Sequence, residues 1–317
     1  PASDPPPPGL WVFDRPEPRS VGEKPARRSL EKSVAPEGLP TACAPATVGA
    51  NQGSGGVHDG PIVWLRSAAF NLAFYVYTAI AVLAGLPALP FLSERAVRRY
   101  ARAWMVGVRA LLRAIVDLEV ELRGLERIPP GPVIFAAKHQ SALDTLLFHL
   151  IRTDVVYGLK RELARIPFFS LYLARTGCIF VDRGGAATAL KSLVRGARAA
   201  VARGCSIVIF PEGTRKPPGA PPDYKSGVAA LYAALAVPVV PVALNTGLFW
   251  PRRSFLKRPG RAVVEMLEPI PPGLDRHRFM ALLEERIESR QPLLEGRTPS
   301  ERSTDAVVGA VPGDEAR

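Results

Sequence analysis

The sequence predicts an α/β protein, with a mixed, largely parallel sheet flanked by helices and a membrane-embedded or membrane-associated helical segment ahead of it. Three observations predict it. Seven apolar runs of strand length succeed one another: Leu118–Leu122, Val133–Ala137, Val155–Leu159, Cys178–Val181, Ile207–Phe210, Val239–Leu244 and Ala262–Leu267. Helical periodicity lies between several of them, and alternating strands and helices build parallel sheets covered on both faces. Ahead of the runs, Ser67 to Ser93 is a stretch of 27 residues without a charge.

The elements divide the chain into four parts. Residues 1–60 are dominated by Pro, Gly, Ser and charges; such a composition cannot bury a core and reads as a disordered extension. Residues 61–116 read as an anchoring unit. Pro87 and Pro90 cut the uncharged stretch, leaving about 20 residues from Ser67 to Leu86, enough to span a bilayer or to form an immersed hairpin with the helix after them. From Glu94 to Ile115, Arg95, Arg98, Arg102, Arg109 and Arg113 fall on one side of a helix, with Val97, Trp104, Val108, Leu111 and Ile115 opposite. That pattern suits a helix in the headgroup layer, its arginines on anionic lipid and Trp104 at the acyl boundary. Residues 117–290 hold the sheet; within them Ala186 to Arg203 reads as a helix stopped by Gly204. Residues 291–317 read as a flexible tail.

Two strand ends carry chemistry. Val133–Ala137 is followed by Lys138, His139, Gln140 and Ser141, and Asp144 falls in the first turn of the next helix. A histidine at a strand end, with a carboxylate in reach, can act as a general base near neutral pH. The same residues fit a capping box, Ser141-x-x-Asp144, so the pair alone does not separate catalysis from capping. His149 and Asp154 repeat the spacing, but His149 lies mid-helix and that pair reads as accidental. Downstream, Arg183 and Arg215 each close an apolar strand within a Gly-containing turn. Arginine beside open backbone N–H groups receives phosphate well. Two such arginines and one histidine, all after strands, suggest one pocket at the strand ends.

Together these segments resemble the PlsC-type glycerolipid acyltransferases, the family that contains 1-acyl-sn-glycerol-3-phosphate acyltransferase. His139-Gln140-Ser141-x-x-Asp144 is similar to its first motif, Gly177 to Arg183 to the second, Phe210-Pro211-Glu212-Gly213-Thr214-Arg215 to the third, and Val237 to Leu244 to the apolar fourth. Lys138 departs from the family, where many members carry Asn. The resemblance implies transfer of an acyl group from a thioester to a lysophosphatidic acid hydroxyl, with His139 as base and Asp144 orienting it. It implies that the third motif binds the acceptor's phosphate: Arg215 as the leading contact, Glu212, Gly213 and Thr214 shaping the turn, Arg183 and Lys160 secondary. It implies no cofactor and no metal; acyl-CoA or acyl carrier protein is the co-substrate. The partners implied are membrane lipids, lysophosphatidic acid and the acyl donor, at a bacterial inner membrane with the catalytic domain in the cytoplasm.

Composition narrows the rivals. A net charge of +12 would suit a nucleic-acid binder, but the arginine stripe adjoins an apolar span and no array of stacking aromatics accompanies it. Three cysteines without Cys-x-x-Cys spacing suggest neither zinc nor a disulfide framework. The alternatives that remain are an acyltransferase for glycerol 3-phosphate or another lysolipid, and a non-catalytic basic membrane-binding protein.

Overall fold

The computed structural model describes residues 59–160, 169–181 and 186–297. The predicted N-terminal extension therefore lies outside the described residues up to His58, and so does the tail from residue 298. All seven apolar runs form strands: β1 (Leu118–Arg123), β2 (Ile134–Ala137), β3 (Val155–Lys160), β4 (Ile179–Val181), β5 (Ser206–Ile209), β6 (Val239–Leu244) and β7 (Gly260–Met266). They join one sheet in the order β1-β7-β6-β2-β5-β3-β4. Every neighbouring pair is parallel except β6 and β7. β2 is the middle strand, and all four of its residues are buried. A parallel strand covered on both faces reads as a continuous apolar run, which is why it is visible in the sequence.

Side chains alternate across the sheet and feed two cores. Phe135 and Ala137 pack with Leu143, Leu147 and Phe148 of α3 (Ala142–Ile151). Ile134 and Ala136 face the other way, toward Ala197 and Ala200 of α5 (Ala186–Ala202), Leu231 of α6 (Gly227–Leu235), and Phe279 and Leu283 of α8 (Arg276–Leu294). Gly204, with φ of 79°, stops α5 as its position suggested.

The anchoring unit forms α1 (Pro61–Gly85) and α2 (Glu94–Leu111), with a π-helical turn over Leu112–Val116. Pro61 opens α1, where its missing N–H costs nothing. Turns through Pro87 and Pro90 end it, as predicted. α1 lies against the domain along its whole length. Ser67 Oγ accepts the Lys257 N–H at 2.9 Å, Phe70 and Phe74 meet Trp250 edge-on, and the Tyr172 hydroxyl donates to Val82 O at 2.7 Å. A side chain at Gly107 of α2 would collide with Tyr77, so this glycine sets how closely the two helices approach. The other side of α1 is a bare stripe of Ile62, Leu65, Leu72, Val76, Ile80 and Leu83.

The structure corrects three expectations. Two of the five arginines in the α2 stripe are not free for lipid, whereas Arg95, Arg109 and Arg113 are exposed. Arg98 is only 4% exposed and donates to Thr176 O at 2.9 Å and to Asp154 at 3.4 Å. Arg102 donates to the carbonyls of His149 and Leu150, free because they close α3. Trp104 does not point to an acyl boundary; its indole packs on Phe74 and donates to Thr78 Oγ1 at 3.2 Å. Finally, α8 runs to Leu294, past the expected start of a loose tail. Gln291 is buried and bonds both polar groups of Leu244, and these bonds hold Pro292 inside the last turn.

Candidate active site

Three adjacent strands, β6, β2 and β5, end at the same edge of the sheet. The chain leaves β2 toward β3 on one side, while β6 lies on the other, so the edge is a switch point where a crevice opens. Each strand delivers a different part. β2 delivers His139, β5 the turn Glu212–Arg215, and β6 the segment Asn245–Thr246 at the start of α7 (Thr246–Phe249).

Asp144 is fully buried and collects four donors. Its Oδ2 accepts the Gln140 N–H at 2.7 Å, the Ser141 N–H at 2.8 Å, and His139 Nδ1–H at 3.1 Å. Its Oδ1 accepts the Thr246 hydroxyl. Ser141 Oγ in turn accepts the Leu143 N–H at 3.1 Å, completing the capping box. Capping and orienting the histidine are therefore not rival roles; one carboxylate does both. With Nδ1–H held by Asp144, Nε2 is left as the acceptor. The ring stacks on Phe210 at 3.9 Å between centroids, which fixes its plane. The His139 side chain keeps 15% of its surface open, whereas Asp144 keeps none.

The turn after β5 stands directly behind the histidine. Glu212 is buried; Oε1 accepts Lys138 Nζ at 2.9 Å, and Oε2 accepts the His139 N–H at 3.3 Å. Lys138, the departure from the family pattern, thus enters a buried ion pair. Burial pushes its pKa down, but Glu288 and Glu212 outweigh that and the net shift is upward. Gly213 takes a φ of 66°, which lets the chain turn sharply and leaves Gly213 and Thr214 exposed. The Lys216 N–H donates to His139 O at 2.8 Å, so the turn is fastened to the histidine loop on both sides of Arg215. Arg215 is half-buried. Burial lowers its pKa, Arg252 lowers it further, Asp144 opposes them, and Arg253 adds a smaller push downward. Among the described residues no carboxylate pairs with Arg215 within ion-pair distance. Three guanidinium groups, those of Arg215, Arg252 and Arg253, thus lie near one turn beside the His139–Asp144 pair.

The sequence-predicted residues His139, Asp144, Glu212, Gly213, Thr214 and Arg215 come together at this edge. Lys160 ends β3 on the same side, but its side chain lies outside the described residues, as does Arg183. The accidental pair is separated: His149 is half-buried against Tyr157, while Asp154 serves Arg98 and Arg95. Sequence reasoning missed Thr246, Arg252 and Arg253. Thr246 stands 102 positions from Asp144, and the only signal for it was its place just after the apolar run of β6.

Comparison with known proteins shows the class of this chain, an acyltransferase. The Acyltransferase family model matches residues 119–245. A 1-acyl-sn-glycerol-3-phosphate acyltransferase of Pseudomonas aeruginosa is 36% identical over 174 residues, 55% of this chain and 67% of its own length. The 1-acyl-sn-glycerol-3-phosphate acyltransferase alpha of Ovis aries is 29% identical over 163 residues, 50% of this chain and 57% of its own. The crystal structure of the 1-acyl-sn-glycerophosphate (LPA) acyltransferase PlsC from Thermotoga maritima shares the fold, with a TM-score of 0.62 and 24% identity over 74% of this chain and 98% of that one. This chain belongs to the PlsC-type glycerolipid acyltransferase family.

Proposed function

We propose that the protein transfers a fatty acyl group from an acyl thioester to the sn-2 hydroxyl of 1-acyl-glycerol 3-phosphate, giving phosphatidic acid. One observation carries this reading: the His139–Asp144 pair and the Arg215 turn are fastened to each other at one sheet edge through Glu212 and Lys216. Arg215, with Arg252 and Arg253 beside it, receives the acceptor's phosphate, and relief of their mutual repulsion favours a dianion. His139 Nε2 takes the hydroxyl proton as the oxygen attacks the thioester carbonyl. The new C–O bond forms, the C–S bond breaks, and the proton passes to the leaving thiolate. Asp144 stabilises the imidazolium between those events. The donor is acyl-CoA or acyl carrier protein; both are acidic, which suits a chain of net charge +12.

The bare stripe of α1 supports membrane association. Leu65, Leu72 and Ile80 are 73%, 68% and 61% exposed. A helix docked along its length on the domain cannot stand across a bilayer without drawing the domain in with it. We read α1 as lying in the interface of one leaflet, its stripe in acyl chains. The membrane would be a bacterial inner membrane, with the site on its cytoplasmic side, where both donors are made.

An acceptor panel tests the reading. Lysophosphatidic acid, glycerol 3-phosphate and lysophosphatidylcholine are presented in vesicles with either donor. The expected result is preferential turnover of lysophosphatidic acid, and a rise in its KM of at least tenfold in Arg215→Ala. Turnover of lysophosphatidylcholine at an equal rate, or an unchanged KM in Arg215→Ala, would sink the phosphate assignment.

A further inference from the structure

Helix α8 begins 31 positions beyond the end of the segment matched by the family model (276 against 245). It nevertheless reaches the loop that carries His139. Beyond β2 the side chains keep alternating: His139 turns toward Phe210, while Lys138 and Gln140 turn to the opposite face, where α8 packs. There, Lys138 Nζ donates to Glu288 Oε1 at 2.9 Å, and Gln140 Nε2 donates to Glu295 Oε1 at 2.6 Å. Glu288 lies on α8 and Glu295 is the C-cap residue that ends it, seven positions or about two helical turns later, so the helix and its cap present both on one side.

We infer that Glu288 and Glu295 are positioning residues for acyl transfer, holding the two neighbours of His139 and, through them, the histidine and its aspartate. The inference rests on the reading of His139 as the base. Two routes transmit the hold. Glu288 anchors the Lys138 ammonium, whose other partner is Glu212 Oε1; Glu212 Oε2 accepts the backbone N–H of His139 itself. Glu295 anchors the Gln140 side chain, and the Gln140 N–H donates to the same Asp144 oxygen that orients the ring. Both anchors are themselves fixed. The Tyr224 hydroxyl donates to Glu288 Oε1 at 2.7 Å, and the Gly219 N–H donates to Glu295 Oε2 at 3.0 Å. Losing either carboxylate lets a buried polar neighbour of His139 seek another partner. A displacement of about 1 Å at a reacting group costs on the order of 10²-fold in rate.

The test is a set of full-length variants assayed with lysophosphatidic acid and acyl-CoA in vesicles, each with its Tm. Glu288→Ala and Glu295→Ala should lower kcat by about 10- to 100-fold while the acceptor KM stays within threefold. Glu288→Gln and Glu295→Gln, which keep an accepting oxygen, should recover kcat to within about threefold of the parent. Ile287→Ala, on the same helix but buried in the apolar core, should lower Tm at least as much with kcat intact. A kcat unchanged in both folded alanine variants would overturn the inference, as would a loss matched by Ile287→Ala and not recovered by glutamine. His139→Ala belongs in the same set. If it is inactive while both glutamate→alanine variants keep the parent's kcat, the inference falls and the base assignment stands. If it is fully active, both fall.

Discussion

Asp144→Asn separates the charge of the aspartate from its geometry. The asparagine carbonyl can replace Oδ2 and still accept from Gln140, Ser141 and His139 Nδ1. The amide nitrogen then faces Thr246, whose hydroxyl can rotate from donor to acceptor. The cap and the ring orientation survive, and weakening three charge-assisted bonds to neutral ones destabilises the fold by about 1–3 kcal/mol. What disappears is the negative charge beside the imidazolium. At about 4 Å and an effective dielectric near 20, that charge is worth roughly 4 kcal/mol, or on the order of 10³-fold in rate. The assay is steady-state acyl transfer with both substrates varied, well below the variant's Tm. The loss should fall on kcat and leave the acceptor KM nearly unchanged. A folded Asp144→Asn protein within tenfold of the parent's kcat would refute the argument that the aspartate acts through its charge.

Three other outcomes are expected. Ser141→Ala should lower stability by about 0.5–2 kcal/mol, the worth of an N-cap, and keep kcat within a few-fold, read by denaturant titration and turnover; complete loss of turnover in a folded variant would point to a nucleophilic serine instead. Leu72→Asp with Ile80→Asp, on the bare stripe of α1, should weaken flotation with vesicles by about 10²-fold or more and leave turnover of a soluble short-chain acceptor unchanged; unaltered flotation would place the membrane contact elsewhere. Stability should also fall in mild acid because of His149, whose pKa is pushed down to about 4 by burial and then by Arg98. Its unfolded pKa is near 6.5, so the unfolded chain binds the extra proton. The contribution is complete above about pH 6.5 and is lost as the pH falls to about 4, roughly 3 kcal/mol in all. His149→Phe should flatten that slope in urea midpoints taken across the range; a slope unchanged in the variant would assign it to other groups.

What the sequence made legible depended on how local the cause was. β2 and β6 read clearly because strands buried on both faces are continuous apolar runs. The His139–Asp144 pair read clearly because five residues of strand end and cap set its geometry. The wheel of α2 was correct as a helix, yet Arg98 and Arg102 were given to lipid because nothing nearby in sequence announces the open carbonyls of α3 or the carboxylate of Asp154. Glu288 and Glu295 were hidden for the same reason: their partners lie 150 and 155 positions away. Pro292 invited an end to order, but the buried Gln291 before it outweighs the missing N–H. Lys138 looked like a minor departure from a motif; its meaning needed two glutamates from separate elements.

The most direct test of the central claim is acyl transfer to lysophosphatidic acid in anionic vesicles by the parent, His139→Ala and His149→Ala, each verified as folded. Phosphatidic acid from the parent and His149→Ala, with none from His139→Ala, is the predicted result. Equal product from all three would contradict it, because no other described histidine stands at the strand ends to take the proton.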